Sequence, residues 1–238
     1  DRVLQNTSGA VDELSFQASQ KIQATANYFH YVVINGTSAA SGAGYVVNTF
    51  DGLRKLLAGT ANEITSEVTL TTSAELDSNY SKFLDELDGF LATIDGKPDM
   101  LMMNSKMLTK LRGCARRAGY YSRTKDDFGR VVEAYNDIPL VDLGKYYNGT
   151  ASVDVIPTST PTSEAYGTTE IYAIKLGLDA FHGISPTGNK VITSYMPDLN
   201  APGAVKKGEV ELVAGTVLKN TLKAAVLKGI AIEPKAAG

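Results

Sequence analysis

The chain has 238 residues, of which 43% are hydrophobic and 21% charged, and its formal net charge at neutral pH is −3. This composition predicts one large domain or two subdomains, and no apolar run approaches the ~20 residues that a membrane-spanning helix needs. The single cysteine, Cys114, excludes an intrachain disulfide, and the mixed, mildly acidic charge argues against a dedicated nucleic-acid-binding protein.

A long amphipathic helix is the first element that the sequence predicts. Between Gly9 and Asn35, apolar residues recur at spacings of three and four, which is the period of one helix face. They are Val11, Leu14, Ala18, Ile22, Ala26, Phe29 and Val33. At about 1.5 Å per residue, the helix would be roughly 35 Å long. We expect it to end at Asn35-Gly36, because glycine there can adopt the left-handed conformation that stops a helix.

A second helix is predicted after a small-residue loop over residues 37–49. Thr72-Ser73-Ala74-Glu75 has the pattern of a capping box, which marks a helix N-terminus. The residues that follow would bury one broad apolar face, made of Leu76, Tyr80, Phe83, Leu84, Leu87, Phe90 and Leu91. A face of this size is expected to anchor a hydrophobic core.

A third helix follows a short strand predicted over Met100–Met103. Asn104 is expected to cap a helix over Ser105–Ala118, and Gly119 is expected to end it. Cys114 falls on the apolar stripe of this helix and is predicted to be a small core residue.

The second half of the chain changes to the two-residue period of strands. Arg130–Tyr135 and Ile138–Leu143 form a predicted strand pair around a turn at Asn136-Asp137. The region 209–234 predicts strands, or a helix followed by a strand. The other expected strands are Glu170–Gly177, Lys190–Tyr195 and Ala224–Ile232, and long loops are expected over 149–169 and 197–208.

No pattern in the sequence predicts a catalytic, cofactor-binding or metal-binding residue. His30 and His182 are the only histidines, and no H-x-E, C-x-x-C or HExxH spacing accompanies them. Ser105, Ser122 and Ser185 lack the strand-turn-helix context of an activated nucleophile. There is also no Walker loop and no G-x-G-x-x-G after a strand, and the Gly42-Ala43-Gly44 cluster is too short to bind phosphate.

The charged clusters are expected to be solvated surface. Asp85-Glu86-Asp88 falls on the polar side of a helix, and Asp126-Asp127 lies beside Arg123 and Lys125, where local ion pairing is the default. The densest basic group is Lys106, Lys110, Arg112, Arg116, Arg117 and Arg123. We interpret it as the outer face and last turn of one helix, where cations complement the helix dipole.

The order of these elements resembles the major capsid proteins of tailed bacteriophages, which have the Hong Kong 97-type (HK97-like) capsid fold. The resemblance is carried by the long helix with its Asn-Gly stop, by Phe50-Asp51-Gly52-Leu53, and by the run Gly96-Lys97-Pro98-Asp99-Met100-Leu101-Met102-Met103-Asn104 before the third helix. It spans the chain from about Ser8 to Pro234.

This resemblance implies an α+β fold with a spine helix at about residues 9–36. It implies a peripheral (P) domain over 1–99, with the second helix packed beside the spine, and an axial (A) domain over 100–218. Residues 219–238 would be the return strand of the P domain. The family's N-terminal arm and extended (E) loop are absent from a chain that begins at Asp1. We therefore expect a processed chain or a fragment that stays a monomer or small oligomer.

The function that the resemblance implies is structural, without enzymatic activity, cofactor or metal. Hexamers and pentamers of the chain would self-assemble into an icosahedral virion capsid around double-stranded DNA, without sequence-specific binding and without a membrane. Scaffold, protease and portal proteins are possible further partners, and assembly would occur in the bacterial host cytoplasm. The loops 149–169 and 197–208 are candidate A-domain contacts.

Three alternatives remain open at this point. An encapsulin-type bacterial compartment would have the same fold but would hold cargo enzymes in place of DNA. A prophage remnant would carry the same sequence within a bacterial genome. The alternative from a different class is a small α/β hydrolase or transferase, which would need a concave pocket with converging titratable groups.

Overall fold

The computed structural model describes residues 13–38, 49–119, 122–125, 131–160, 166–186, 191–196 and 207–234. Within these ranges the fold is a mixture of α and β structure. The helices are α1 (Glu13–Asn35), α2 (Leu53–Leu57), α3 (Ser73–Ala92) and α4 (Ser105–Ala118), with a short 3-10 helix η1 (Thr221–Lys223). The strands are β1 (Glu63–Thr65), β2 (Met100–Met103), β3 (Ser122–Lys125), β4 (Val131–Tyr135), β5 (Ile138–Asp142), β6 (Lys145–Tyr147), β7 (Ser152–Asp154), β8 (Tyr166–Ile174), β9 (Phe181–Ile184), β10 (Ile192–Tyr195), β11 (Glu209–Leu212), β12 (Gly215–Leu218) and β13 (Ala224–Pro234).

Seven strands form one mixed sheet in the order β1-β13-β8-β2-β5-β4-β3. Strand β13 is parallel to β1 and antiparallel to β8, whereas β2 is antiparallel to β8 and parallel to β5. The other six strands pair as the ribbons β6–β7, β9–β12 and β10–β11. The closing strand predicted over Ala224–Ile232 is confirmed as β13, which is flanked on both sides within the sheet.

The central strands separate two hydrophobic cores, because successive side chains on a strand point to opposite faces. Leu101 and Met103 belong to the first core, which α3 and α4 cover, and Met102 between them belongs to the second core. The second core also includes the C-terminal end of α1 and the buried leucines of α2, Leu53 and Leu57. One sheet therefore carries a two-helix layer on one face and the end of the long helix on the other.

A bulge in β13 keeps its apolar residues in register with these cores. Ala225 and Leu227 face the first core, and simple alternation would next place residues 229 and 231 there. The pairing with β8 shifts between Leu227 and Ile230, so that Ile230 occupies the first core instead. Gly229 lies at this shift with φ of 76°, a backbone conformation that glycine adopts without a steric penalty.

Helix α1 ends at Asn35 as the sequence predicts, but the expected left-handed conformation of Gly36 is wrong. Gly36 is not among the described glycines with positive φ. A Cβ atom at Gly36 would lie 2.3 Å from the Phe50 carbonyl oxygen and 2.5 Å from that of Val32. The Gly52 amide donates a hydrogen bond to the Gly36 carbonyl at 2.8 Å. Close contact between two backbone segments is therefore what requires glycine here.

The apolar stripe of α1 is only half-buried. Its members within the described side chains, Ala18, Ile22, Ala26, Phe29 and Val33, all keep intermediate exposure, and Val11 and the side chain of Leu14 lie outside the described part. The fully buried residues of α1 are Val32 and Ile34, beside the chain segment that leads to α2.

Helix α3 begins with the predicted capping box. Thr72 Oγ1 accepts from the Glu75 amide at 3.2 Å, and the Glu75 carboxylate accepts from the Thr72 amide at 3.2 Å. The expectation that this helix packs beside the spine helix is wrong. Its buried residues belong to the first core, where α3 contacts α4 and β13, whereas α1 ends in the second core on the opposite face of the sheet.

The N-terminus of α4 is confirmed at Asn104, which also joins three elements. Its Oδ1 accepts from the Met107 amide at 2.8 Å, and its Nδ2 donates to the Ile156 carbonyl and to Thr169 Oγ1 at 2.9 and 2.8 Å. The helix ends at Gly119, which has the predicted left-handed φ of 75°.

The strand pair around Asn136-Asp137 is confirmed as β4 and β5 with a two-residue turn. The expected long loop over 149–169 is wrong in part, because it contains β7 and the first residues of β8. Val155 and Ile156, also in this range, are fully buried, so the segment contributes to the second core. The predicted loops at 37–49 and 197–208, the Gly42-Ala43-Gly44 cluster and the pair Asp126-Asp127 fall mostly or wholly outside the described residues.

Candidate assembly surfaces

The residues that could carry nucleophilic chemistry are dispersed over the fold. Cys114 is fully buried on α4, and burial raises the pKa of its thiol to about 11, which keeps it protonated and unreactive at neutral pH. His30 is exposed on α1, and His182 lies on β9 opposite Val217 of β12. Ser105 is exposed at the start of α4, and Ser185 Oγ donates to the Val213 carbonyl at 2.6 Å. The side chain of Ser122 is not described.

The carboxylates of α3 serve as hydrogen-bond acceptors for neighbouring segments. Glu86 Oε2 accepts from Ser66 Oγ at 2.6 Å, and Asp88 Oδ1 accepts from the Tyr135 hydroxyl at 2.8 Å. Asp85 is exposed. These contacts fasten α3 to the chain that precedes β2 and to β4, which is a structural role.

The basic group on α4 is largely paired with nearby acceptors. The ion pairs are Lys106–Glu233 at 2.7 Å, Arg112–Glu133 at 2.6 Å and Arg117–Asp77 at 2.5 Å, and Lys110 Nζ donates to the Thr71 carbonyl at 2.9 Å. The side chain of Arg123 is not described. Pairing of this kind lowers the net positive charge that the helix presents to an anionic partner.

The described part of the chain contains no group of three or more His, Cys, Asp or Glu side chains placed to hold a metal ion. Nor is any helix within it both long enough and apolar enough to cross a bilayer.

One buried polar cluster, which the sequence analysis missed, joins α2 to β8. Arg54 donates from Nε and Nη2 to Glu170 Oε2 at 3.2 and 2.8 Å, and the Tyr172 hydroxyl donates to the same oxygen at 2.5 Å. Burial and the adjacent Glu170 carboxylate raise the pKa of Tyr172 well above its usual value. Tyr172 therefore stays neutral, and the cluster clamps α2 onto the sheet. Arg54 and Glu170 are 116 residues apart in sequence, so no local pattern could have indicated it.

An aromatic cluster fixes the C-terminal third of α1. The Tyr31 and Tyr146 rings stack with centroids 4.1 Å apart, and Tyr28 lies 6.2 Å from each of them. Burial and the neighbouring Tyr31 raise the pKa of Tyr146 to about 12. Asn35 Nδ2 donates to the Val155 carbonyl at 2.7 Å. These contacts hold the end of α1 against β6 and the segment after β7, while Ser15–Ala24 is mostly exposed.

Large apolar side chains are exposed in groups, which typically mark interaction surfaces. The leucine corner, which comprises Leu176, Leu178 and Leu222, lies where β8 ends beside η1. Its backbone is held by the Leu176 amide donating to Asp99 Oδ2 at 2.7 Å and the Lys175 amide donating to the Lys223 carbonyl at 2.9 Å. Leu178 is 79% exposed.

A second group lies on and beside the β10–β11 ribbon. Its exposed members are Val191, Ile192, Tyr195 and Met196. A two-stranded ribbon is marginally stable by itself, and this one is supported by contacts of both strands with α1. The two groups and the exposed part of α1 give the described chain several separate apolar or uncharged surfaces and no recognisable reaction centre.

Comparison with known proteins places the fold and the surfaces in one context. The sequence profile of the SU10 major capsid protein family matches residues 3–140. No curated protein gives a significant match. Among solved structures, the holo-SrpI encapsulin complex from Synechococcus elongatus PCC 7942 is similar with a TM-score of 0.70 at 16% identity, covering 100% of this chain and 72% of that chain. This chain belongs to the SU10 major capsid protein family and has the HK97-like capsid fold, so its role is structural, as a subunit of a self-assembling shell.

Proposed function

We propose that many copies of this chain form the icosahedral head of a tailed phage or prophage and enclose its double-stranded DNA. The family match over residues 3–140 carries this proposal. The similarity to a shell-forming encapsulin supports it at the level of the fold. The chain would act in the virion capsid after assembly in the host cytoplasm.

The mechanism of such a protein is repeated weak association. A standard interface buries about 1,200–2,000 Å². Several reversible contacts per subunit make a closed shell stable through their multiplicity. The separate exposed groups, the leucine corner and the side chains of the β10–β11 ribbon, fit this mechanism, because a ring contact joins two different surfaces of the same chain.

The division into a P domain (1–99 and 219–238) and an A domain (100–218) stays a prediction. Under it, A domains would meet around hexamer and pentamer centres, and loops 149–169 and 197–208 would contribute there. Scaffold, protease and portal proteins remain predicted partners. No catalytic, cofactor or metal residue is assigned, since a shell subunit requires none.

Electron microscopy of the full-length gene product tests the proposal. We expect closed icosahedral particles, and particles purified from phage-producing cells should contain nuclease-protected double-stranded DNA. A soluble product that never associates, or that forms only irregular aggregates, would contradict it.

An encapsulin-type compartment is the second candidate, because the described fold matches an encapsulin over the whole chain. The contents of the particles separate the two functions. Protected host or phage DNA supports a viral head, whereas particles without DNA that co-purify with one stoichiometric enzyme would support a compartment.

A further inference from the structure

The outward face of α1 is exposed over most of its length and is made largely of uncharged polar residues. We call it the amide face and define it as Phe16, Gln20, Gln23, Asn27 and His30, which follow one another at spacings of four and three. All are exposed except Asn27, which is half-buried. The half-buried stripe with Ala18, Ile22 and Phe29 lies on the opposite side of the helix, as the 100° step per residue requires.

The amide face is unusual because exposed helices in water normally carry charge. Between residues 14 and 35 the only Asp, Glu, Lys or Arg is Lys21. By contrast, α3 carries six such residues among its 20, namely Glu75, Asp77, Lys82, Asp85, Glu86 and Asp88. The shorter α4 carries five among its 14: Lys106, Lys110, Arg112, Arg116 and Arg117. Depletion of charge is thus specific to α1.

Depletion of charge together with an exposed aromatic ring is the composition of a protein–protein interface core. Phe16, which is 50% exposed, would supply the aromatic anchor. The glutamine and asparagine side chains each carry both a donor and an acceptor, so they can pair with one another without a complementary charge.

The chemistry of the face also disfavours other occupants. Nucleic acid would require lysine or arginine to neutralise phosphates. A helix lying in a membrane surface would need a strongly apolar face bordered by basic residues. An uncharged amide surface fits a protein partner, and the partner available to every shell subunit is another copy of itself.

We propose that the amide face of α1 is buried by a second copy of this chain in the assembled shell. The inference deepens the proposed function, on which it rests, by naming a surface that associates. Phe16 inserts into the neighbouring copy, and the amides exchange hydrogen bonds that the isolated subunit makes with water.

Photo-cross-linking in the assembled full-length protein tests the contact directly. A benzophenone amino acid at position 20 should form cross-links between chains, mapped by mass spectrometry. Cross-links confined to the same chain, or none at all, would overturn the inference. Particle formation is scored separately by electron microscopy. A product that cross-links between chains but forms no closed particle would contradict the proposed function and leave the contact supported.

A charge substitution provides the second test. Gln20→Glu with Gln23→Glu changes the net charge by −2 and preserves helix propensity. The exposed Lys82→Glu variant on α3 makes the same net change elsewhere and serves as the control. We expect the double variant to raise the protein concentration needed for assembly at least tenfold, with unchanged circular dichroism. Equal behaviour of the double variant and either the wild type or the control would sink the proposal.

Discussion

Gly36 and Gly52 are residues at which a single methyl group should be poorly tolerated. A Cβ at Gly52 would lie 2.6 Å from the Ile34 carbonyl oxygen, and one at Gly36 would lie 2.3 Å from that of Phe50. These neighbours are backbone atoms and cannot rotate away. We expect Gly36→Ala or Gly52→Ala to lower the free energy of unfolding by about 1–3 kcal/mol, the usual cost of overpacking. Urea denaturation of the unassembled subunit measures this change.

Gly89 provides the matched control for these substitutions. It lies in the interior of α3 and is exposed, and a Cβ atom added there would meet no neighbouring atom within 4 Å. Gly89→Ala should therefore raise the free energy of unfolding by about 0.5–1 kcal/mol through helix propensity. Similar changes at Gly36 and Gly89 would show that the close contact between the two backbone segments is not important.

Asp51 should make stability depend on pH in the acidic range. Its Oδ1 accepts from Lys55 Nζ at 2.8 Å and from the Ser38 amide and hydroxyl at 2.6 and 2.7 Å. These bonds, led by that from Lys55, lower the pKa of Asp51 to about 2. The unfolded carboxyl titrates near about 3.9. A lowered folded pKa stabilises above the unfolded value, and this contribution is lost as pH falls from about 4 towards 2.

The comparison of wild type with Asp51→Asn between pH 2 and 6 isolates this effect. We expect the wild type to be the more stable protein above pH 4, and the difference in unfolding free energy to shrink towards pH 2. Asp85→Asn removes one exposed carboxylate of α3 without breaking these bonds and is the charge-matched control. A difference that stays constant with pH would contradict the assigned role of Asp51.

At the level of elements, the β4–β5 turn has a backbone that favours glycine. Asn136 and Asp137 have φ values of 49° and 59°, as in a type I′ turn. The left-handed conformation costs a non-glycine residue roughly 1–2 kcal/mol, which the flexibility of glycine partly offsets. We expect Asp137→Gly to raise the free energy of unfolding by about 0.5–1 kcal/mol.

Asp137→Val provides the contrast at the same site. A β-branched residue is strained at positive φ, so this variant should lose about 1–2 kcal/mol. The Asp137 side chain is 94% exposed and its ion pair with Lys97 is 3.9 Å long, so loss of that pair contributes little to either change. Chemical denaturation of both variants checks the opposite signs, and equal shifts would refute the turn assignment.

Elements that depend on neighbouring residues could be predicted from the sequence, and their packing partners could not. The caps at Thr72 and Asn104 are local, because each side chain bonds an amide three residues later. Which face of the sheet α3 covers depends on β13, far away in sequence. Strand β7 was hidden because a segment rich in Gly, Ser and Thr is typical of loops. The amide face of α1 is visible in the sequence as missing charge, but only the structure shows that it points outward.

For the whole molecule, the decisive feature is that one strand serves both cores. In β13, Leu227 is buried in the first core and Val226 in the second. Strand β13 also pairs with β1 and β8, whose positions in the sequence fall on either side of the predicted domain boundary. If the sheet unfolds as one unit, both cores should lose protection when either face of β13 is damaged.

Leu227→Ala tests this coupling, because deletion of a buried leucine typically costs about 2–5 kcal/mol. Hydrogen–deuterium exchange should then show equal loss of protection in α4, on the first core, and in α2, on the second. Val226→Ala removes side-chain volume from the other face and should give the same pattern with a smaller amplitude. Loss confined to α4 in the first variant and to α2 in the second would mean that the two cores unfold separately, with β13 only connecting them. In that case the cooperative unit would be each core, and a shell subunit could adjust one side of the sheet without disturbing the other.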